Sequence, residues 1–282
     1  MTLNVESKRK VLLYRAKRRG RSCVKGLYQR LNPSQYVHRV FVLGSCRSGT
    51  DILAHYSSKG WSDELVSQDI AKAFSNWRLR GLDAVEQAVD SSGAEVVLLR
   101  PIAETLWERE FLTECPFAAV IFVVRNPRYA INSMVRFFGK AQVCAFKNWV
   151  ETDFARKSQA LADLRKFIPN QCHADLSVEN AAGLKWLLYE SFYLFLDQQS
   201  NPRLTKIRYE RLVQEPDEIM REACAFLGIK WSSAMTNEVY ACSVSKNRKP
   251  GLSPAIEKQS SEFWGRLNIE TRQNYSSATS IV

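Results

Sequence analysis

VFVLGSCRSGTD, residues 40–51, decides how the rest of the chain is read. VFVL is a short continuous apolar run and reads as a buried strand. Gly44 and Gly49 follow as G-x-x-x-x-G, and Asp51 to Tyr56 then reads as a helix. A loop of this kind aims successive backbone N–H groups at an anion, and the positive end of the next helix adds to them. An ordinary βα turn of small residues has a similar composition. In ATP and GTP loops the second glycine is followed by Lys and then Ser or Thr, for the terminal phosphates and magnesium. Here Thr50 and Asp51 follow Gly49, and the cation, Arg47, precedes it. The loop suits a phosphate-like anion but lacks the groups that hold a magnesium nucleotide. It has no G-x-S-x-G, which disfavours a nucleophile-elbow hydrolase.

Three more apolar runs read as strands: EVVLL over 95–99, AVIFVV over 119–124 and LTKIRY over 204–209. Helical patterns lie between them. We expect helices over 64–78 and 82–90, and another after Asn126 as cap with Pro127 at its first position. Long helical patterns cover 145–167 and 183–198, Pro216 to Leu227 ends at Gly228, and 256–267 is weakly helical. Strands alternating with helices predict an α/β fold, a parallel β-sheet flanked by helices, with a helical insertion over 140–200. Ligands of such sheets sit at the carboxyl ends of the strands, so the residues just after each strand are the candidates.

Composition removes several classes. With 45% hydrophobic and 24% charged residues among 282, the chain is globular and long enough for a sizeable core. That length fits one large domain or two. The longest apolar run, Phe117 to Val124, is too short to span a membrane, and the N-terminus has no signal-peptide core. Seven cysteines without a CxxC pair, and three scattered histidines, predict neither a disulfide framework nor a metal site. A reducing, cytoplasmic compartment follows.

The charge is uneven. Residues 1–40 hold eleven Lys or Arg and one acid, Glu6, whereas the remainder holds 29 bases and 28 acids. We therefore divide the chain into a basic arm, 1–37, and an α/β domain, 38–282. The arm is either solvated or in contact with something anionic: a membrane surface, nucleic acid or an acidic polymer. Val24, Leu27, Tyr28 and Leu31 recur at i, i+3, i+4, i+7, the spacing of a short amphipathic helix, which Gly20 and Gly26 weaken. The Arg-rich, acid-poor start is also similar to a transit peptide.

At CRSGTD, Cys46 to Asp51, the sequence resembles the sulfotransferases that use 3′-phosphoadenosine 5′-phosphosulfate (PAPS), whose first strand ends in P-[KR]-S-G-T-[TS]. IFVVRNPRYAINS resembles their R-x-P-[RK] segment, with Arg125 and a serine eight residues on, Ser133. KIRYERLVQEPDEIMREACAFLGIKW, Lys206 to Trp231, is similar to their R-Y-E-D-L-V-x-x-P…F-L-G segment. The likeness covers roughly residues 40–265 and leaves the arm outside. It implies a P-loop NTPase-like sulfotransferase architecture and in-line transfer of a sulfuryl group to an acceptor hydroxyl, with no metal. Arg47, Ser48, Gly49, Thr50 and Asp51 would line the 5′-phosphosulfate, with Arg47 stabilising charge on the leaving oxygen. Arg125 and Ser133 would bind the 3′-phosphate, which a planar guanidinium pairs well. Tyr209 would approach the adenine, and Arg248 and Lys249 would belong to a late loop closing over the 3′-phosphate.

Two positions depart from the family pattern. Asp51 stands where Thr or Ser is usual, and a carboxylate about 4 Å from a phosphate costs on the order of 1–4 kcal/mol. Either it points away and caps the helix or the loop holds its anion weakly. The family's K-[TS]-H histidine is replaced by Ile102, in LRPIAE. Glu64 is then the expected general base, with Asp63 and Glu104 behind it. The acceptor expected is a carbohydrate or glycolipid hydroxyl, on whose sugar face Trp61, Trp77 or Trp264 would stack. A P-loop kinase or NTPase fits the topology without the lysine. A basic nucleic-acid- or membrane-binding module on an inactive fold fits the arm, although the resemblance leads us to expect no nucleic acid.

Overall fold

The computed structural model describes residues 24, 27–29, 31–34, 37–57, 63–66, 73–75, 78–115, 117–152, 164, 166–172, 175–195, 201–237 and 249–277. Five parallel strands form the main sheet, in the order β2 (Asp63–Val66), β5 (Val96–Leu99), β1 (His38–Gly44), β6 (Ala118–Val124), β7 (Leu204–Arg208). Two short strands, β3 (Phe74–Ser75) and β4 (Arg78–Leu79), make a separate antiparallel pair. β1 is central: β2 and β5 lie to one side of it, β6 and β7 to the other. The loop after β1 therefore occupies the point where the strand order reverses, where open α/β sheets bind ligands.

Each central strand buries both faces, as its unbroken apolar run predicts. Phe41, Leu43, Val97, Leu99, Val120 and Phe122 face one core with Trp186, Leu187 and Tyr193 of α7 (Val178–Phe195). Val40, Val42, Val96, Leu98, Ile121 and Val123 face the other. That second core includes Leu53 of α1 (Thr50–Ser57), Leu212 of α8 (Tyr209–Gln214) and Ile219 of α9 (Pro216–Leu227). The helices α2 (Leu82–Asp90) and α3 (Glu108–Glu114) lie between β4 and β6 in the chain. α4 (Pro127–Phe138) follows β6, and the described residues of the segment 140–200, where a helical insertion is expected, include α5 (Ala141–Thr152), α6 (Phe167–Gln171) and α7. The terminal helix α10 (Pro254–Ser277) packs back on α7, and Lys206 Nζ of β7 donates to the Leu267 carbonyl at 2.9 Å.

Helix ends follow the sequence signals. Asn126 Oδ1 accepts from the Arg128 N–H at 3.0 Å, and Pro127 opens α4. Gly228, with φ 68°, closes α9: its N–H donates to the Ala225 carbonyl and the Ile229 N–H to that of Cys224, a Schellman motif. One expectation is corrected. The described residues of the helix expected over 64–78 are not helical. Asp63–Val66 is an edge strand in register with Val96–Leu99, and Phe74–Ser75 pairs with Arg78–Leu79 as β3 and β4. The apolar spacing of Val66, Ile70, Ala73, Phe74 and Trp77 imitates a helix, but pairing with β5 prevails.

Candidate functional site

The carboxyl ends of four neighbouring strands deliver the site. Gly44 lies opposite Val123, Phe41 opposite Leu99, and Val124 opposite Arg208. The loop 45–49, Arg100, Arg125 and Tyr209 thus emerge along one edge of the sheet. Gly44, at φ 146°, leaves the strand in a conformation that L side chains rarely adopt. The hydroxyl of Thr105 then accepts from its N–H at 3.3 Å and donates to its carbonyl at 3.1 Å. Thr105 belongs to the 3-10 turn Ile102–Trp107, so the segment after β5 fastens the start of the loop.

Arg47 is the most constrained residue of the loop. Its φ is 67°, the only positive value at a non-glycine among the described residues. Arg125 Nη1 donates to the Arg47 carbonyl at 2.8 Å. Arg47 Nε donates to Ser133 Oγ of α4 at 3.2 Å, and its guanidinium lies 4.7 Å from the centre of the Phe137 ring. Arg125 in turn stacks 4.1 Å over Tyr209, and its carbonyl accepts from Trp186 Nε1 at 3.0 Å. Burial pushes the Arg125 guanidinium below its ordinary value, opposed by Tyr209 and Glu210. It stays a cation, because an arginine starts so high. Arg47, Ser48, Gly49, Thr50, Arg125, Ser133 and Tyr209 therefore lie close together after the ends of β1, β6 and β7.

The packing brings backbone close to Tyr209 and leaves unmet polarity for an anion. Gly49 has φ 107°, and any Cβ there would run into the Tyr209 ring. Ser48 Oγ and Arg125 Nε are buried and have no hydrogen-bond partner among the described residues. Buried polar atoms without partners are rare, so a hydroxyl and a guanidinium N–H left over beside one loop fit an incoming phosphate oxygen. α1 begins at Thr50 and turns its positive end to the same place.

Asp51 does not press its charge on this space unopposed. Its carboxylate is 2.6 Å from Arg100 Nη1, a group missed in the sequence because only the β1–β5 neighbourhood makes the pair. Glu190 was also missed, although a lone acid inside the apolar LLYESF of α7 is a readable signal. It is fully buried beneath the loop and accepts from Ser45 Oγ at 3.0 Å. Burial pushes its carboxyl well above the ordinary range, against the pull of Ser45 and Lys206. Glu104, in the turn after β5, is 2% exposed and 3.5 Å from Arg78 Nη1, and Oε2 has no partner among the described residues. Its carboxyl is raised by burial, with Arg78 acting in the opposite direction.

Other candidates lie apart or outside the described residues. The Glu64 backbone is within β2 opposite Val97, two residues before the strand ends, and its side chain is outside the described part. Lys249 pairs with Glu257 at 2.6 Å, at the start of α10. Arg248, Trp61 and Trp77 fall outside the described residues. The partly buried ring of Trp264 carries the Arg208 guanidinium 5.2 Å from its centre and packs on the core. Tyr209 opens α8 rather than ending β7, since Arg208 is the last residue paired with β6. No group of metal-ligating side chains occurs among the described residues.

The family model of the sulfotransferase domain matches residues 38–275. A crystal structure of a sulfotransferase from Alicyclobacillus acidocaldarius is similar to this fold, with TM-score 0.51 and 18% identity over 83% of this chain and 96% of that one. The sulfotransferase domain from the curacin biosynthetic pathway gives TM-score 0.47 and 15% identity, covering 81% and 98%. That of the Synechococcus PCC 7002 olefin synthase gives 0.47 and 14%, covering 82% and 97%. Among curated proteins no sequence matches.

Proposed function

The chain belongs to the sulfotransferase family, and on that premise we propose that its donor is PAPS and its acceptor a hydroxyl, with adenosine 3′,5′-bisphosphate as the product left behind. The observation that carries the donor is the meeting of Arg47, Arg125 and Ser133 around a loop whose Ser48 hydroxyl is buried and unpartnered. Arg47, Ser48, Gly49 and Thr50 would hold the phosphosulfate, and Arg125 and Ser133 the 3′-phosphate, with Tyr209 beside the base. Asp51 would stay turned to Arg100. Arg248 and Lys249 would join from the segment before α10. The bound donor supplies an activated sulfuryl group. The protein supplies fixed cations and donors where negative charge grows as the S–O bond breaks, and such groups act most strongly in the transition state.

A base must take the acceptor's proton. Glu104 is the better supported of the carboxylates: it is adjacent to Thr105, which binds Gly44, and burial raises its proton affinity toward that of a general base. Glu64 is the second choice. A carbohydrate or glycolipid hydroxyl is the preferred acceptor class. The domain proposed to do this is 38–282, in the cytoplasm, with the arm 1–37 turned to an anionic surface.

Calorimetric titration of the purified protein tests the donor. Adenosine 3′,5′-bisphosphate without magnesium is expected to bind with micromolar affinity and magnesium ATP is not. Binding of magnesium ATP alone would replace this reading with a kinase or NTPase.

A further inference from the structure

The helix before β1 wears its apolar side outward. Residues 24, 27–29 and 31 are helical. The Asn32 N–H and Nδ2 both donate to the Tyr28 carbonyl, at 2.9 and 3.2 Å, and finish the helix. What it buries is polar. Gln29 is 8% exposed, and its backbone lies so close to Gly93 that a Cβ at 93 would collide with the Gln29 carbonyl. Ser34 N–H adds a bond to the Gly93 carbonyl at 3.3 Å. At about 100° per residue, Gln29 projects from the side opposite Val24, Leu27, Tyr28 and Leu31. Those four are 57, 59, 52 and 72% exposed. Single exposed apolar residues are ordinary, but four on one face of a helix anchored by its other face form a stripe.

Charge selects the partner. Residues 1–37 contain ten Lys or Arg and one acid, and Lys25 and Arg30 lie among the apolar positions. A protein core would want the stripe and not the cations. A nucleic acid would want the cations and leave the stripe in water. An anionic bilayer surface uses both: the apolar side enters the headgroup boundary and the cations meet lipid phosphates. We propose that this helix docks the protein on an anionic membrane surface, through Val24, Leu27, Tyr28 and Leu31 together with the basic residues of 1–37. Gly93 precedes β5, so the helix sits at the amino edge of the sheet, opposite the edge that bears the loop 45–49. Docking therefore leaves the candidate site facing away from the bilayer.

The full chain is sedimented with vesicles of phosphatidylcholine alone, or with about 30 mol% phosphatidylserine. Binding to the anionic vesicles only, weakened by salt, is expected. The double variant Leu27→Glu, Leu31→Glu alters exposed positions, and its circular dichroism and melting should match the parent. It is expected to lose at least about tenfold in vesicle affinity. Undiminished binding by the variant, or equal binding to neutral vesicles, overturns the proposal. So does binding to a single-stranded oligonucleotide but to neither vesicle, or self-association that the variant abolishes without vesicle binding by the parent. The readout is lipid, so it stands or falls apart from the donor titration.

Discussion

Arg47 meets two demands that a single residue seldom meets. Its backbone sits at φ 67°, where a residue with a Cβ is disfavoured by about 1–2 kcal/mol. Its side chain is meanwhile held by Ser133 and stacked on Phe137. Glycine would satisfy the backbone and discard the guanidinium, which separates the two demands. Arg47→Gly is expected to melt within a few degrees of the parent, because relieved strain offsets the lost side-chain contacts. Sulfuryl transfer should nevertheless fall at least ~100-fold, the usual result of removing one transition-state donor. Turnover that survives the change, measured with any working acceptor, would show that Arg47 shapes the loop and does not assist the chemistry. The neighbouring Asp51 teaches a related lesson. Its charge is unwelcome in the loop considered alone, and Arg100, just after the neighbouring strand β5, answers it at 2.6 Å.

At the scale of elements, the loop after β1 and the start of α8 are fitted to each other. Gly49 has φ 107° and no room for a Cβ against Tyr209, whose ring is buried and capped by Arg125 at 4.1 Å. Gly49→Ala must move one element away from the other. We expect a loss of about 2–3 kcal/mol in denaturant unfolding, within the range for overpacking and backbone strain. Bisphosphate binding should weaken with it. Adding Tyr209→Ala should return part of the stability and none of the affinity; full recovery of both would mean that the contact is incidental. This junction also shows what the chain reveals before it is folded. The loop and the four strands around it are local patterns: an apolar run, two glycines, a cap followed by proline. β2 is not such a pattern, because DELV has no apolar run and becomes a strand only by pairing with Val96–Leu99. The partners of the loop, Arg100, Thr105 and Glu190, are 45 residues or more from it in sequence. Nothing local marks them except the isolation of Glu190 in an apolar helix.

For the molecule as a whole, six acids, thiols and phenols are shifted in one direction by burial. Burial raises Glu104, Glu190, Cys115, Cys172, Tyr56 and Tyr189, so each holds its proton more firmly folded than unfolded. Between a group's unfolded and folded values the native state then carries the extra proton, and stability falls as pH rises through that interval. For the two carboxyls the interval starts at the ordinary carboxylate range and extends upward. Glu190 dominates because it is fully buried, in contact with Ser45 and subject to Lys206 and Glu210 from β7 and α8. Glutamine keeps the shape and the acceptor that Ser45 uses, but cannot ionise. Glu190→Gln should melt close to the parent near about pH 5 and above it near about pH 8, with the gap widening steadily between. A gap that stays constant, or closes as pH rises, would mean that Glu190 is ionised in the native protein and paired with Lys206. The loop would then rest on a buried ion pair, and losing that carboxylate would leave the Lys206 charge uncompensated at every pH in the range.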